Sequence, residues 1–483
     1  MRKTIVLLLV MVLVLTSTGL VTFAAQPDRT FTYEDDNTPV PSTNAYQVKL
    51  IVDETVMGTT RMKDPTDIFV DNDDHVYILD AGNCRILVLD ENYRCIKELK
   101  EFNHKGEVLT LAEGAQGLFY RDENKRLYIA DTENNRILVS DLEGNVSGVY
   151  EKPVDELLDP AIAYKPKKII VDNMGIMYVT SGNINTGALL VDSLNHFLGF
   201  YGTNKLKETA AMKVERMWRK LLKNATSDTT FQPVEFNNLF WSEDRFVYTV
   251  SPLTESVASA VSKLNALGDN VFPQDMDIFS LSKARKIKDM ILTDITVDNE
   301  GAITIVDSTT GRLMHYDEGC NLLAVFGGIG YQEGLFELPV AIESNSLNNI
   351  LVLDKTKNSV TVMEQTFYGQ MIRSANYLYN QGLYQESIEP WMEVLRMNAN
   401  YTQAYMGLGK AYISLGEYEK AMEYFEMGKD QAGYAEAKAA LRDERVRDNF
   451  GVVAAVVILV LVLILFFDQI RDLFFKIYWR IRK

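Results

Sequence analysis

Cysteine and histidine are nearly missing from this chain. Three cysteines, Cys84, Cys95 and Cys320, are spread over 483 residues, too few and too odd in number for a disulfide framework. Cys84 and Cys95 fall near one hairpin, but strand register does not set them opposite each other. The four histidines, His75, His104, His196 and His315, occupy non-equivalent places: two in turns, one in a connection and one in a peripheral strand. No HExxH, paired-Cys motif or P-loop occurs, so nothing marks a metal centre or a nucleotide cradle. No metal, cofactor or catalytic residue is expected, and the chain is expected not to be an enzyme. Basic charge is also short. Lys and Arg number 49 against 66 Asp and Glu, a net charge of −17, which argues against nucleic acid as a partner.

Two apolar runs are present. Arg2 and Lys3 precede "IVLLLVMVLVL", and small residues follow at Ala24 and Ala25, the pattern of a secretory signal over 1–25. Near the other end, Phe450 to Phe467 is eighteen residues without a charge, enough to span a hydrocarbon core of roughly 30 Å. The tail 468–483 then holds five Lys/Arg and two Asp. Excess basic charge beside a span marks the cytoplasmic side, so residues before 450 are expected outside a cell membrane crossed once.

Between the ends the chain repeats itself. "YILDAGNCRILVLD" from Tyr77 returns as "YIADTENNRILVSD" from Tyr128, with Asp80/Asp131, Asn83/Asn134 and Arg85/Arg136 in register. Related stretches begin at Lys167, Asn237, Thr293 and Asn348. The equivalent positions Asp80, Asp131, Ser181, Val250, Asp307 and Asp354 define six units of about 50 residues. Each reads as alternating strands joined by Asp/Asn/Gly turns. Six such units close best as a ring, which leaves only short edges. A six-bladed β-propeller is predicted over 45–366, with "AYQVKLIV" (45–52) completing the last blade and 26–44 as a polar lead-in.

The "D…N.RI" stretches at Asp80–Ile86 and Asp131–Ile137 and the "P.DI.VD" of Pro65–Asp71 resemble NHL repeats. Asp and Asn bond nearby backbone in tight turns, and Arg can reach the preceding Asp, so these are blade-building residues. Lactonase and lyase relatives within that resemblance hold a divalent metal on the axis, which makes a metal-dependent enzyme the rival reading. Between blades three and four, "KLKETAAMKVERMWRKLLK" (Lys205–Lys223) predicts a basic amphipathic helical insertion over 205–224 that packs on the propeller or meets a membrane or partner.

A second repeat follows, with Gly382/Gly416, Tyr384/Tyr418, Ser387/Ala421 and Trp391/Phe425 all 34 apart. This is the tetratricopeptide period, and "YMGLGKAYISLGEYEKAMEYFEMG" resembles that consensus. The fold expected is thus mainly β, a propeller followed by a helical hairpin array (367–449) and one transmembrane helix (450–467).

Two candidate sites follow. Taking the residue equivalent to Asp67 on each innermost strand gives Asp67, Gly117, Lys168, Asn238, Asp294 and Val340. Of these, Asp67, Lys168, Asn238 and Asp294 could bind a sugar, peptide or cation in an axial funnel, or simply bond neighbouring blades. On the helical repeats, Tyr384, Trp391, Tyr405 and Tyr412 are the expected partner-binding face. The function expected is a membrane-tethered extracytoplasmic scaffold that binds protein or peptide partners, including a membrane complex such as a transporter. Resemblance to bacterial cell-surface NHL-repeat proteins carries that last step. A small-ligand sensor is a further alternative.

Overall fold

The computed structural model describes residues 30–33, 39–202, 234–242, 244–253, 260–272 and 290–482. The expected signal segment 1–25 and the helical insertion 205–224 lie outside the described residues. The chain divides into two units, Met1–Gln370 and Met371–Lys483.

The first unit is a six-bladed propeller. Blade one runs outward from the axis as Asp67–Val70, Val76–Asp80, Arg85–Leu89 and Cys95–Leu99, each strand antiparallel to the last. Blades two, three and five repeat this order from Gly117–Arg121, Pro166–Val171 and Leu292–Val297. Blade four shows Asn238–Trp241, Val247–Val250 and Val261–Leu264 among the described residues. Blade six holds Pro339–Ser344, Ile350–Asp354 and Ser359–Gln365, and its outermost strand is Tyr46–Val52, paired through Val360↔Val52 to Gln365↔Tyr46. The first strand of the ring thus completes the last blade. Part of the expected lead-in does more than lead in. Phe31–Tyr33 and Pro39–Pro41 pair with each other and extend the outer edge of blade five at Phe31↔Val325, covering backbone groups that an edge would leave unpaired.

Burial follows position in the blade. Second strands such as Val76–Asp80, Met177–Ser181 and Ile303–Asp307 are buried at every residue. The outer strand Cys95–Leu99 alternates between partly buried and exposed residues up to Glu98 and ends on buried Leu99. Apolar side chains fill the seams between blades. Ile78, Leu87 and Leu89 meet Leu351, Leu353 and Val362 across the one–six seam. The three cysteines are free thiols.

The repeated aspartate explains how each blade holds its incoming chain. Asp80 accepts the Lys63 N–H at 2.7 Å, Asn83 Nδ2 at 2.8 Å and Arg85 Nε at 2.6 Å. Asp131 does the same with the Ala112 N–H, Asn134 and Arg136. Asp307 accepts the Ile291 N–H and Asp354 the Glu337 N–H; in blade three the Ser181 hydroxyl accepts from the Lys165 N–H. Each grips backbone just ahead of its own innermost strand. In blade four the position falls one residue later than the repeat spacing suggested. Asn238 pairs with Val250 as Asp67 pairs with Leu79, so Ser251, rather than Val250, stands where Asp80 stands.

The second unit is helical, its first helix beginning four residues ahead of the boundary: α1 Phe367–Asn380, α2 Tyr384–Met397, α3 Thr402–Ser414, α4 Tyr418–Met427, α5 Gln431–Leu465 and α6 Phe467–Ile481. Gly382 and Gly416 turn the chain at φ of 77° and 76°, the left-handed region that glycine enters without strain. α5 has 35 residues and an 18-residue window of mean hydropathy 2.7, long and apolar enough to cross a membrane.

Arg85 and Asp80 are both fully buried, whereas the Arg136 side chain keeps 16% exposure. Removing one member of a buried pair strands the other, at about 3 kcal/mol or more. Arg85→Ala is therefore expected to lower the denaturation midpoint well below that of Arg136→Ala. Equal losses would show that the carboxylate is held by its backbone donors alone.

Candidate functional site

Because strand side chains alternate, residues two apart on the innermost strands face the axis together. The inner strands therefore build the axis in tiers roughly 7 Å apart.

The lowest tier is charged and buried. It brings together all four expected residues, Asp67, Lys168, Asn238 and Asp294. Lys168 Nζ meets Asp67 Oδ1, and Asn238 Nδ2 donates to Asp294 Oδ1. The remaining carboxylate oxygens tie adjacent blades: Asp67 accepts the Leu118 N–H at 2.7 Å, and Asp294 the Ile342 N–H at 2.8 Å. These groups therefore hold the ring, whatever else they do. Gly117 fills the slot between Asp67 and Lys168. A Cβ there would stand 2.4 Å from the Lys167 carbonyl oxygen, so only glycine lets blade three approach this closely. Val340 is not the sixth member. A bulge between Pro339 and Ala341 shifts the strand, and Ala341 pairs with Leu353 as Asp67 pairs with Leu79.

The second tier was not anticipated. Two residues up from the first stand Phe69, Phe119, Ile170, Phe240, Thr296 and Glu343, with Trp241 beside Phe240. Phe69 and Phe119 pack edge to face at 5.2 Å between centroids. Glu343 is half-buried and accepts from Thr296 Oγ1 at 3.2 Å. Period-two counting from the first tier would have found this collar, had Ala341 been taken in place of Val340.

Above the collar the axis opens into a cavity of about 1000 Å³. Its described lining includes nine carboxylates, Glu343 among them, and one basic side chain, Arg121. Some of these acids are committed to structure. Asp71 accepts from the His75 N–H and Tyr77 Oη, and Asp74 accepts from Ser346 of blade six. Arg121 is turned aside by the carbonyl oxygens of Val171 and Asp172.

The axial carboxyls titrate abnormally. Burial pushes Asp67 up, with Lys168 opposing it. Burial disfavours the Lys168 ammonium, but Asp67, Asp294 and Glu343 outweigh it and keep the proton on. Asp294 is pushed up to about 7, mainly by burial. Glu343 is raised well above the carboxylate range by burial and then by Asp294.

The histidines stay apart from the axis. His75 and His196 bond turn aspartates at 3.2 and 3.0 Å, and His315 is buried in blade five against Thr304 and Tyr46. On the helical unit, Tyr384, Tyr405 and Tyr412 are half-buried. Tyr412 stacks on Tyr424 at 5.4 Å, with Lys420 5.1 Å from its centroid. Trp391 does not belong to a partner-binding face. It is 3% exposed and fills the joint against Gly407, where a Cβ would come within 2.6 Å of its ring.

No protein-family model matches the chain, and none of the curated proteins is similar to it. The likeness to NHL repeats thus stays one of local motifs. Among solved structures, the chain is similar to virginiamycin B lyase from Staphylococcus aureus at 10% identity and a TM-score of 0.38, covering 64% of this chain and 98% of that one. XC5397 from Xanthomonas campestris, a gluconolactonase, matches at 11% and 0.39, covering 70% and 97%. The WD40 propeller domain of Doa1 matches at 11% and 0.38, covering 68% and 99%. The likeness is one of propeller architecture. Because it extends to a lyase and a gluconolactonase, the expectation of a non-enzyme is corrected: this architecture is shared with enzymes, and scattered histidines do not exclude catalysis.

Asp294 and Glu343 bind protons more tightly folded than unfolded. The stability each lends is fully present below the unfolded carboxylate range near pH 4; that of Asp294 is lost as pH rises through about 7, and that of Glu343 as pH rises through its own raised value. Glu343→Gln is therefore expected to raise the thermal midpoint relative to the parent chain at about pH 8 and to leave it nearly unchanged at about pH 5. A variant equally affected at both values would place the Glu343 proton elsewhere.

Proposed function

We propose that this chain is a membrane-tethered recognition protein whose propeller funnel receives a cationic segment of a peptide or protein partner. One observation carries the reading: an acid-rich cavity narrows onto a collar of Phe69, Phe119, Phe240 and Trp241 with Glu343 among them. Carboxylates at the mouth attract positive charge and raise its local concentration. Aromatic faces then hold a desolvated guanidinium or ammonium by cation–π attraction. Lys168 already occupies the floor with positive charge, so the cation stops at the collar and meets Glu343.

The apolar α5 helix supports the tether, and the basic residues after it support an outward-facing propeller. The 34-residue period of the helical hairpins supports a second surface, presented by Tyr384, Tyr405 and Tyr412, toward a partner in the same membrane.

An arginine-rich peptide titrated calorimetrically into the full-length chain in micelles tests the funnel. Binding is expected to weaken with salt, and Trp241→Ala to cost about fivefold or more, ~1 kcal/mol. Since the bound cation favours ionised Glu343, affinity should rise with pH in the parent chain and lose that slope in Glu343→Gln. Binding indifferent to both substitutions would mean that rim charge alone attracts the peptide, and the proposal would fall.

A further inference from the structure

The helix after the apolar span has a face that the funnel does not account for. α6 starts one residue beyond α5, across Phe466, whose backbone (φ −105°, ψ 15°) leaves the helical region. Along α6, Phe467, Ile470, Phe474, Ile477 and Ile481 recur every three or four residues and form one face. Within it, Phe474 is 74% and Ile481 81% exposed. The polar side is uneven. Arg471 sits between Asp468 at 3.0 Å and Asp472 at 3.5 Å, so the first turns carry no surplus of positive charge. Lys476, Arg480 and Arg482 come after the last acid, and Arg482 braces on the Tyr478 hydroxyl at 3.0 Å.

We propose that α6 lies along the membrane surface where the span ends, with its apolar face at the headgroup–acyl boundary and Lys476, Arg480 and Arg482 on anionic headgroups. This rests on reading α5 as a membrane span. Continuity selects lipid as the occupant: the uncharged run ends at Phe467, so no loop carries α6 away before its apolar face begins. A large apolar face, low overall hydrophobicity and a basic polar side define the interfacial type of helix. Each basic side chain near an anionic leaflet adds to the attraction. Phe475 and Trp479 fall on the polar side and take no part in the apolar face.

The test uses the full-length chain in lipid nanodiscs, with a solvatochromic non-canonical residue replacing Phe474, Asp472 or Val457 in separate variants. With anionic lipid, the probes at 474 and 457 are expected to emit in the blue and be quenched by acyl-brominated lipid, while that at 472 reports water. Replacing anionic by zwitterionic lipid, or combining Lys476→Glu, Arg480→Glu and Arg482→Glu, should return the 474 probe toward water. A 474 probe as wet as 472, with 457 still quenched by lipid, overturns the surface helix and leaves the span intact. A wet 457 probe overturns both. Shielding at 474 that ignores lipid charge, or that requires a co-purifying protein, also overturns the proposal.

Discussion

The propeller depends on one interaction repeated around the ring: a buried side-chain oxygen at the end of a second strand accepting a backbone N–H from the segment that enters the same blade. Asp80, Asp131, Asp307 and Asp354 provide it as carboxylates, and Ser181 as a hydroxyl. An unpaired carboxylate in that position would cost several kcal/mol, so the incoming chain has few other places to go. Once the entry segment is fixed, the innermost strand follows at a set register, and its alternate side chains must face the axis. The tiers of the funnel follow from this constraint.

On the axis, structure and recognition draw on the same residues. Asp67 and Asp294 staple adjacent blades through backbone N–H groups, and Lys168 offsets part of their charge from two blades away. Burial raises Asp294 and Glu343, and a single ammonium among three carboxyls does not offset it. The floor is thus a closed electrostatic unit. The mouth above the collar lacks such compensation and holds the surplus of negative charge.

Much of this was legible in the sequence, because the gripping aspartate, its Asn and its Arg are written nearly identically at Asp80–Arg85 and Asp131–Arg136. The four axial residues emerged from counting back to each innermost strand. The failures share a cause. Where no polar residue marks the position, the count slips by one: in blade six the axial residue is an alanine, so Val340 stood in for Ala341 and the collar carboxylate Glu343 went unseen. In blade four, where no Asp marks the strand end, Val250 stood in for Ser251. Trp391 misled differently: an aromatic at a repeat position looks alike whether it faces a partner or fills a joint, and only the glycine opposite, Gly407, decides.

The strand that closes the ring has a temporal meaning. Gln47 and Glu364, hydrogen-bonded across blade six, lie 317 positions apart. A chain made from its N-terminus exposes Tyr46–Val52 before any other strand of the six blades and supplies its partner, Ser359–Gln365, after all the others. Blades one, two and three form from neighbours in sequence, whereas this one must wait for the whole ring, and such distant pairing is slow. Until then the strand's unpaired edge is open to capture by the wrong neighbour, so the molecule is most vulnerable in the interval between the appearance of its first blade strand and its last.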